Sequence, residues 1–352
     1  MRRFFIDWQL ILPALIILIF GLSVIFSLDI KLGLEQLSFA FLGLIAFLVF
    51  ANFPYSTHQY LVKIYAVASI ILLILPFIFG TLTRGSIRWI QIGALTLQPS
   101  EIIKPFLIII FAFFLSKGKF VLIYLSLLAL PAFLIFKQPD LGSTLVIIAL
   151  WLGILIASKL PLYGLAAIIF ISLLITPFGF KHLKPYQQQR IASFLNPYAD
   201  PKASGYHSIQ SVIAVGSGGF LGRGLGQGTQ SQLQFLPERH TDFIFASLAE
   251  ETGLLGSLAL IIVFLFLLLR LLTISQKAPD QFGRLLGIGI FSLIFFQFTV
   301  NVGMNLGLLP ITGITLPLVS AGGSSLLSVA ISLGLAHNLS QHGNIKTPLE
   351  IK

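Results

Sequence analysis

The sequence predicts an all-α polytopic membrane protein of about ten transmembrane helices. Three observations carry that reading. Of 352 residues, 56% are apolar and only 10% are charged, against about 25% charged in a soluble domain. Mean hydropathy is +0.97. The apolar residues form continuous runs rather than alternating ones, which excludes a transmembrane β-barrel. A chain so poor in charge cannot cover a water-facing surface, so soluble, disordered and fibrous classes are excluded with it. There is no cysteine. That removes disulfide scaffolds, iron–sulfur clusters, thiolate zinc sites and cysteine nucleophiles. The net charge of +10 fits cytoplasmic loop bias, anionic lipid or an anionic substrate, and does not call for nucleic acid.

A span needs about 17–25 mostly apolar residues. The chain offers them at 10–26, 37–52, 61–79, 102–116, 121–136, 143–157, 161–177, 252–273, 285–305 and 324–340. The first run follows Arg2 and Arg3 in the manner of a signal peptide. No small-residue cleavage site follows it, and Ser27-Leu28-Asp29 reads as a loop, so it is taken as an anchor. Ten spans place both termini on one side. With that side cytoplasmic, eleven Lys and Arg fall inside and five in the short outer loops, as the positive-inside rule requires. Nine of the twelve acids fall outside, which that rule does not require. The long loop 178–250, between the seventh and eighth spans, is then extracellular. No internal repeat or soluble domain is visible, so residues 1–352 read as a single integral membrane domain.

The polar residues gather in five places. Arg84 to Ile90 reads as a segment lying in the membrane interface, with Arg88 reaching lipid headgroups. It leads to Gln98-Pro99-Ser100-Glu101, where Ser100 is expected to cap a helix and Glu101 to pair with Lys104 at i, i+3. This is either a capped, ion-paired helix start or a polar pocket at the outer boundary. Lys137-Gln138-Pro139-Asp140 is a turn and helix start, or part of that pocket. The long loop is basic, with Lys181, Lys184, Arg190, Lys202, Arg223 and Arg239. Its patches at 191–195 and 209–215 suggest short amphipathic helices. Its glycines between 216 and 228 fit neither dinucleotide nor Walker A spacing; they read as a flexible turn or as backbone lining a ligand site. Glu238-Arg239-His240-Thr241-Asp242 puts four ionisable side chains in five residues. Asp242 reads as a helix cap, or as a general base of raised pKa in a half-buried site. His240 has no second ligand at metal spacing, so no metal site is assigned. Finally Leu316 to Ser325 breaks an apolar stretch with Pro, Gly and Ser, so 312–323 reads as re-entrant or as a broken helix start.

These residues resemble the SEDS family (shape, elongation, division and sporulation), which includes RodA, FtsW and SpoVE. The resemblance runs from Asp7-Trp8 to the last helix. It rests on Gln98-Pro99-Ser100-Glu101, Gln138-Pro139-Asp140-Leu141-Gly142, Gly322-Gly323-Ser324-Ser325, and the run from Gly228-Thr229-Gln230-Ser231 through Leu236 to Phe245. The Glu-Arg-His-Thr-Asp form is closest to the RodA branch. Ala321 departs from the Tyr that the family commonly has there.

The resemblance implies a peptidoglycan glycosyltransferase that polymerises lipid II on the outer face of the cytoplasmic membrane during elongation. It implies a class B penicillin-binding protein and other elongation-complex membrane proteins as partners, and maps the family's essential loop Asp onto Asp242. The residues themselves agree. Glycosyl transfer from a polyprenyl diphosphate needs a base for the acceptor hydroxyl and cations for the leaving group. Asp242 is the candidate base. Arg88, Lys104, Arg190 and Arg239 are candidate diphosphate partners, with Lys137 a weaker one. Glu101 and Asp140 orient those cations. Gln98, Glu238, His240 and Thr241 complete the expected substrate-binding set. A divalent cation, Mg or Mn, could share the diphosphate charge. The competing readings are a lipid II flippase and a non-catalytic scaffold.

Overall fold

The computed structural model describes residues 6–83, 86–92, 95–118, 121–158, 185–200 and 205–343. Nine of the ten expected spans coincide with helices among them; the tenth, 161–177, lies outside the described residues. The helices in order are α1 (Trp8–Leu28), α2 (Ile30–Asn52), the short α3 (Thr57–Tyr60), α4 (Val62–Phe79), α5 (Pro99–Ile102), α6 (Lys104–Ser116), α7 (Val121–Lys137) and α8 (Leu141–Ala157). Beyond the undescribed stretch come α9 (Pro185–Leu195), α10 (Tyr206–Ser217), α11 (Thr229–Gln232), α12 (Ile244–Gln276), α13 (Gln281–Asn305) and α14 (Gly323–Gly343). Six of the described helical stretches are long and apolar enough to cross a membrane: α1, α2, α4, α5–α6 together, α12 and α13.

One local exception to the all-α expectation lies between α4 and α5. Residues 81–97 carry an antiparallel sheet of β1 (Thr81–Thr83), β2 (Ser86–Ile92) and β3 (Leu95–Leu97), in the order β1-β2-β3. Ser-Ile-Arg-Trp-Ile-Gln-Ile is short, rich in β-branched and aromatic residues, and followed by Gly93, which favours strand over an interfacial helix.

The bundle has a centre and a rim. In α5–α6, 72% of the span is buried, and in α13 67%, against 22% in α2 and α4. The central pair packs against α4, α8 and α12, while α2 pairs with α14. Small residues allow these approaches. A Cβ on Gly21 of α1 would stand 2.6 Å from the main chain of Val319, and one on Gly153 of α8 would overlap Ser292 of α13. At the end opposite the sheet, Arg270 of α12 holds Asp7 with bonds of 2.6 and 3.1 Å. Asn338 of α14 binds the Tyr55 amide and the Ala51 carbonyl there.

Helix α12 is broken. Gly253 has φ 67° and ψ −164°, which separates a short outer piece carrying Glu250 and Glu251 from the membrane span that follows. The Gly253 main chain lies so close to Gly222 that an added Cβ would meet the Gly222 nitrogen at 2.2 Å. Left-handed backbone of this kind is open to glycine and costly for other residues. Gly253→Ala should therefore destabilise the protein by at least about 2 kcal/mol, read as a lowered midpoint of thermal unfolding in detergent.

Candidate active site

Two polar groups meet at the sheet end of the bundle. The first is built on Asp140, which is 3% exposed and precedes α8. Its carboxylate accepts the Ser143 amide at 3.1 Å, capping the helix. It also accepts Gln98 Nε2 at 2.7 Å and Ser100 Oγ at 3.2 Å, and stands 3.5 Å from Arg88 Nη1. Arg88 thus reaches Asp140 from β2 instead of lying along lipid headgroups. Ser100 does not cap α5: that helix opens at Pro99 with no side-chain cap, and the Ser100 hydroxyl is turned to Asp140. Below them Lys104 pairs with Glu101 at 2.5 Å, as their i, i+3 spacing predicts. Lys104 is only 1% exposed, so its ammonium is held by Glu101 and is not presented to a large anion. Lys137 stands apart: it is exposed at the end of α7, with its ammonium 5.4 Å from the Phe133 ring centre.

The second group is the turn Glu238–Phe243. Glu238, Arg239, His240, Thr241 and Asp242 are all half-buried. Arg239 donates to the main-chain oxygens of Ser231 and Gln232, and the Thr241 hydroxyl donates to Glu238 Oε2 at 3.2 Å. Asp242 does not cap α12, which starts after Phe243 without a side-chain cap. Instead the Asp242 carboxylate lies against Gly313; Oδ2 would be 3.5 Å from a Cβ placed there.

Residues 306–322 form no regular helix and touch both groups. The His240 oxygen accepts the Ala321 amide at 2.8 Å, and the Thr241 oxygen accepts Ser320 Oγ at 2.7 Å. On the Asp140 side, Gly142 packs directly on the oxygen of Thr312, 2.8 Å from where its Cβ would be. Just beyond, the Gln98 amide donates to Ser324 Oγ at 2.9 Å. One short segment therefore brings Asp242 and the Arg88–Asp140 pair into a common neighbourhood. Arg88 Nε, Glu101 Oε2 and Thr312 Oγ1 are buried there without a hydrogen-bond partner, polar capacity of the kind a bound ligand satisfies.

The long loop joins through α10. His207 packs its ring 6.4 Å from that of Phe243. Burial lowers its imidazole pKa below the usual range, the Arg190 guanidinium pushes the same way, and Glu238 opposes them. Arg190, exposed on α9, is thereby placed within electrostatic reach of the motif. The helices α9 and α10 cover the two stretches read as amphipathic. The glycine-rich stretch, in contrast, is occupied by its own protein. Gly218 packs on the Ala249 oxygen, and Gly228 on Ser231 and Glu250. Glu250 is fully buried and accepts the amides of Gln230 and Ser231 at 2.8 and 2.9 Å. Glu251 accepts Ser27 Oγ from the end of α1 at 2.7 Å and the Gly226 amide at 3.1 Å. These two acids fasten the loop and are not directed at a ligand.

Sequence reasoning overlooked His207, Asn301 and Asn305. Both asparagines donate to the main-chain oxygen of Asp242, at 3.0 Å each. Their signal was legible: two amides four residues apart lie on one face of an otherwise apolar helix.

Two outcomes follow from this geometry. Glu101→Gln should strand a buried ammonium and cost about 3–5 kcal/mol of stability, much of it recovered when Lys104→Met is added. His207 has a lowered folded-state pKa, so it resists a proton that the unfolded chain accepts. Its contribution is complete above its ordinary pKa of about 6.5 and is lost as pH falls below that value. Replacing it by Gln should flatten the fall in thermal stability between about pH 7 and 5.

With the geometry in view, the comparisons are specific. The family model described as cell cycle protein, for FtsW, RodA and SpoVE, matches residues 4–345. Peptidoglycan glycosyltransferase MrdB of Escherichia coli K12 is 37% identical over 348 residues, covering 96% of this chain and 94% of that protein. Stage V sporulation protein E of Bacillus subtilis is 36% identical over 365 residues, covering 96% and 97%. Among solved structures, a chain of a peptidoglycan synthase complex that coordinates polymerization and crosslinking aligns with TM-score 0.85 at 29% identity. It covers 97% of this chain and all of that one. The rod shape determining protein RodA of Thermus thermophilus aligns with TM-score 0.72 at 27% identity, covering 96% and 97%. The chain is a multi-pass membrane protein that belongs to the FtsW/RodA/SpoVE family of cell cycle proteins.

Proposed function

We propose that this protein is the glycan polymerase of cell elongation, joining lipid II units on the outer face of the bacterial cytoplasmic membrane, with Asp242 as general base. One observation carries the assignment. The half-buried Asp242 carboxylate and the Arg88–Asp140 pair flank the same non-helical, partly buried segment, at the end of the bundle that the charge distribution assigns to the outside. A lipid-anchored diphosphate sugar and a sugar acceptor would meet at that depth.

The roles follow from the groups present. Asp242 takes the proton of an acceptor sugar hydroxyl, whose oxygen attacks the anomeric carbon of the donor. The bond from that carbon to the diphosphate oxygen breaks, and the electron pair leaves with the diphosphate. Arg88, with 28% of its side chain exposed, and Arg190, on the loop, offset the charge that develops there. Asp140, Gln98 and Ser100 hold Arg88 in place, and Glu101 neutralises Lys104 beneath them. Glu238, Arg239, His240 and Thr241 shape the turn that carries Asp242. Among the described residues no group of three or more His, Asp or Glu side chains converges to hold a metal ion. Mg or Mn bound at the diphosphate would share its charge with Arg88 and Arg190.

The relatives support the glycan-polymerase assignment. MrdB carries the name peptidoglycan glycosyltransferase, and a solved relative belongs to a synthase complex joining polymerization to crosslinking. By that likeness the partner is a class B penicillin-binding protein, in company with other membrane proteins of the elongation complex. The flippase reading is weaker, because transport favours ionisable groups near the bilayer midplane and those of the site cluster at the span ends.

The test uses purified protein in detergent with lipid II. Wild type should yield glycan polymer. Asp242→Ala should lower polymerisation by at least about 10²-fold, while thermal unfolding stays near that of wild type. Wild-type polymer from Asp242→Ala or Asp242→Asn would remove the base role. Movement of labelled lipid II between leaflets without polymer would favour transport. Inactivity of wild type even beside the crosslinking enzyme would favour a scaffold.

A further inference from the structure

The turn that carries Asp242 is held from outside its own helix at three successive carbonyl oxygens. His240 is bound by the Ala321 amide at 2.8 Å, Thr241 by Ser320 Oγ at 2.7 Å, and Asp242 by both Asn301 and Asn305 at 3.0 Å. The two asparagines are fully buried. Asn301 Nδ2 also donates to the Ile314 oxygen at 2.7 Å, and Asn305 Nδ2 to the Asn301 oxygen at 2.8 Å. Asn305 Oδ1 faces the other way and accepts the Ala246 amide at 3.0 Å. The Ser211 hydroxyl of α10 donates to the Asn305 main-chain oxygen at 2.9 Å.

We infer that Asn301 and Asn305 are positioning residues that set where the Asp242 carboxylate stands relative to the acceptor hydroxyl. The inference rests on Asp242 being the base. An amide suits this post because one of its atoms gives two N–H donors and the other accepts. Around the Asp242 oxygen the pair ties three elements together: central helix α13, the 312–322 segment through the Ile314 oxygen, and the first turn of α12 through the Ala246 amide. Aspartate has the same shape but would set a carboxylate oxygen against the Asp242 carbonyl, removing one of its two donors and placing two acceptors in contact. The carboxylate would then drift from its post while the groups that hold lipid II stay in place. Loss of position of the order of 1 Å lowers rate by about 10²-fold, and it lowers kcat rather than ground-state binding.

The test compares purified full-length Asn301→Asp and Asn305→Asp with wild type, measuring kcat and KM for lipid II and the thermal unfolding midpoint. Each variant is expected to lose about 10- to 100-fold in kcat, with KM within about threefold of wild type. A kcat loss matched by the loss of folded protein, or a rise in KM with kcat unchanged, overturns the inference. So does wild-type kcat in a folded asparagine variant. Should neither aspartate variant fold, Ser320→Ala loosens the same turn from another side, removing the hold on the Thr241 oxygen together with the acceptor of the Leu316 amide. It is expected to lower kcat several-fold at unchanged KM, and an unaltered kcat there overturns the inference. Asp242→Ala, assayed alongside, separates the two levels. If it is active, the base assignment has failed. If it is inactive while the folded asparagine variants are fully active, the base assignment stands and the positioning role is rejected.

Discussion

Main chain buried among membrane helices must satisfy its own hydrogen bonds, because neither water nor lipid supplies them. That constraint organises this molecule. Residues 306–322 leave the helix and are largely buried from Ile314 to Ser320, so each amide and carbonyl there has to find a partner nearby. Part of the answer is the Glu238–Phe243 turn, which also lacks a helical ladder. Ser320 binds both the Leu316 amide and the Thr241 oxygen, and Gln36 of α2 takes the Gly322 amide and the Ser320 oxygen. Two irregular segments distant in sequence are thereby locked into one body. The Asp242 carboxylate, the proposed base, stands in a turn where helix is absent.

The few charges are used economically in a second sense. Asp7 with Arg270, Glu101 with Lys104 and Asp140 with Arg88 are each within 3.5 Å of their partners. An isolated ion at such depth would cost far more than these pairs return. The pairs therefore mark places where the fold requires opposite charges together. Arg88 and Arg190 stay partly open, which is the electrostatic capacity that the proposed diphosphate site draws on.

Much of this was legible in the sequence, for reasons of periodicity and chemistry. The helices could be read, six of them long and apolar enough to cross a membrane, because continuous apolar runs have few alternatives in a bilayer. The Glu101–Lys104 pair could be read because i, i+3 spacing fixes adjacency on a helix. Ser100 does not cap because its hydroxyl has a long-range partner in Asp140, and the Asp242 carboxylate lies against the Gly313 main chain; no local rule sees either one approaching. The sheet at 81–97 was hidden by Trp89 and isoleucines that also suit a membrane interface. Asn301 and Asn305 were passed over because an amide within an apolar run carries no charge. Its importance lies in which carbonyl it meets, and that is a property of tertiary structure. Glu250 and Glu251, two of the nine outer acids, have their carboxylates occupied by amides of the loop.

The glycine-rich stretch has one more consequence, for how this protein tolerates change. Extracellular loops are ordinarily where a chain accepts insertions and sequence drift. Here Gly218, Gly222 and Gly228 lie with main chain against the outer piece of α12, leaving no room for a side chain, and Leu254 and Leu255 at the top of the span donate to the oxygens of Gly219 and Phe220. At these positions the stretch is packed as closely as two helices. Variation is confined to places such as Gly216, where nothing lies within 4 Å of an added Cβ. What looks in sequence like the most permissive part of the chain is among the least.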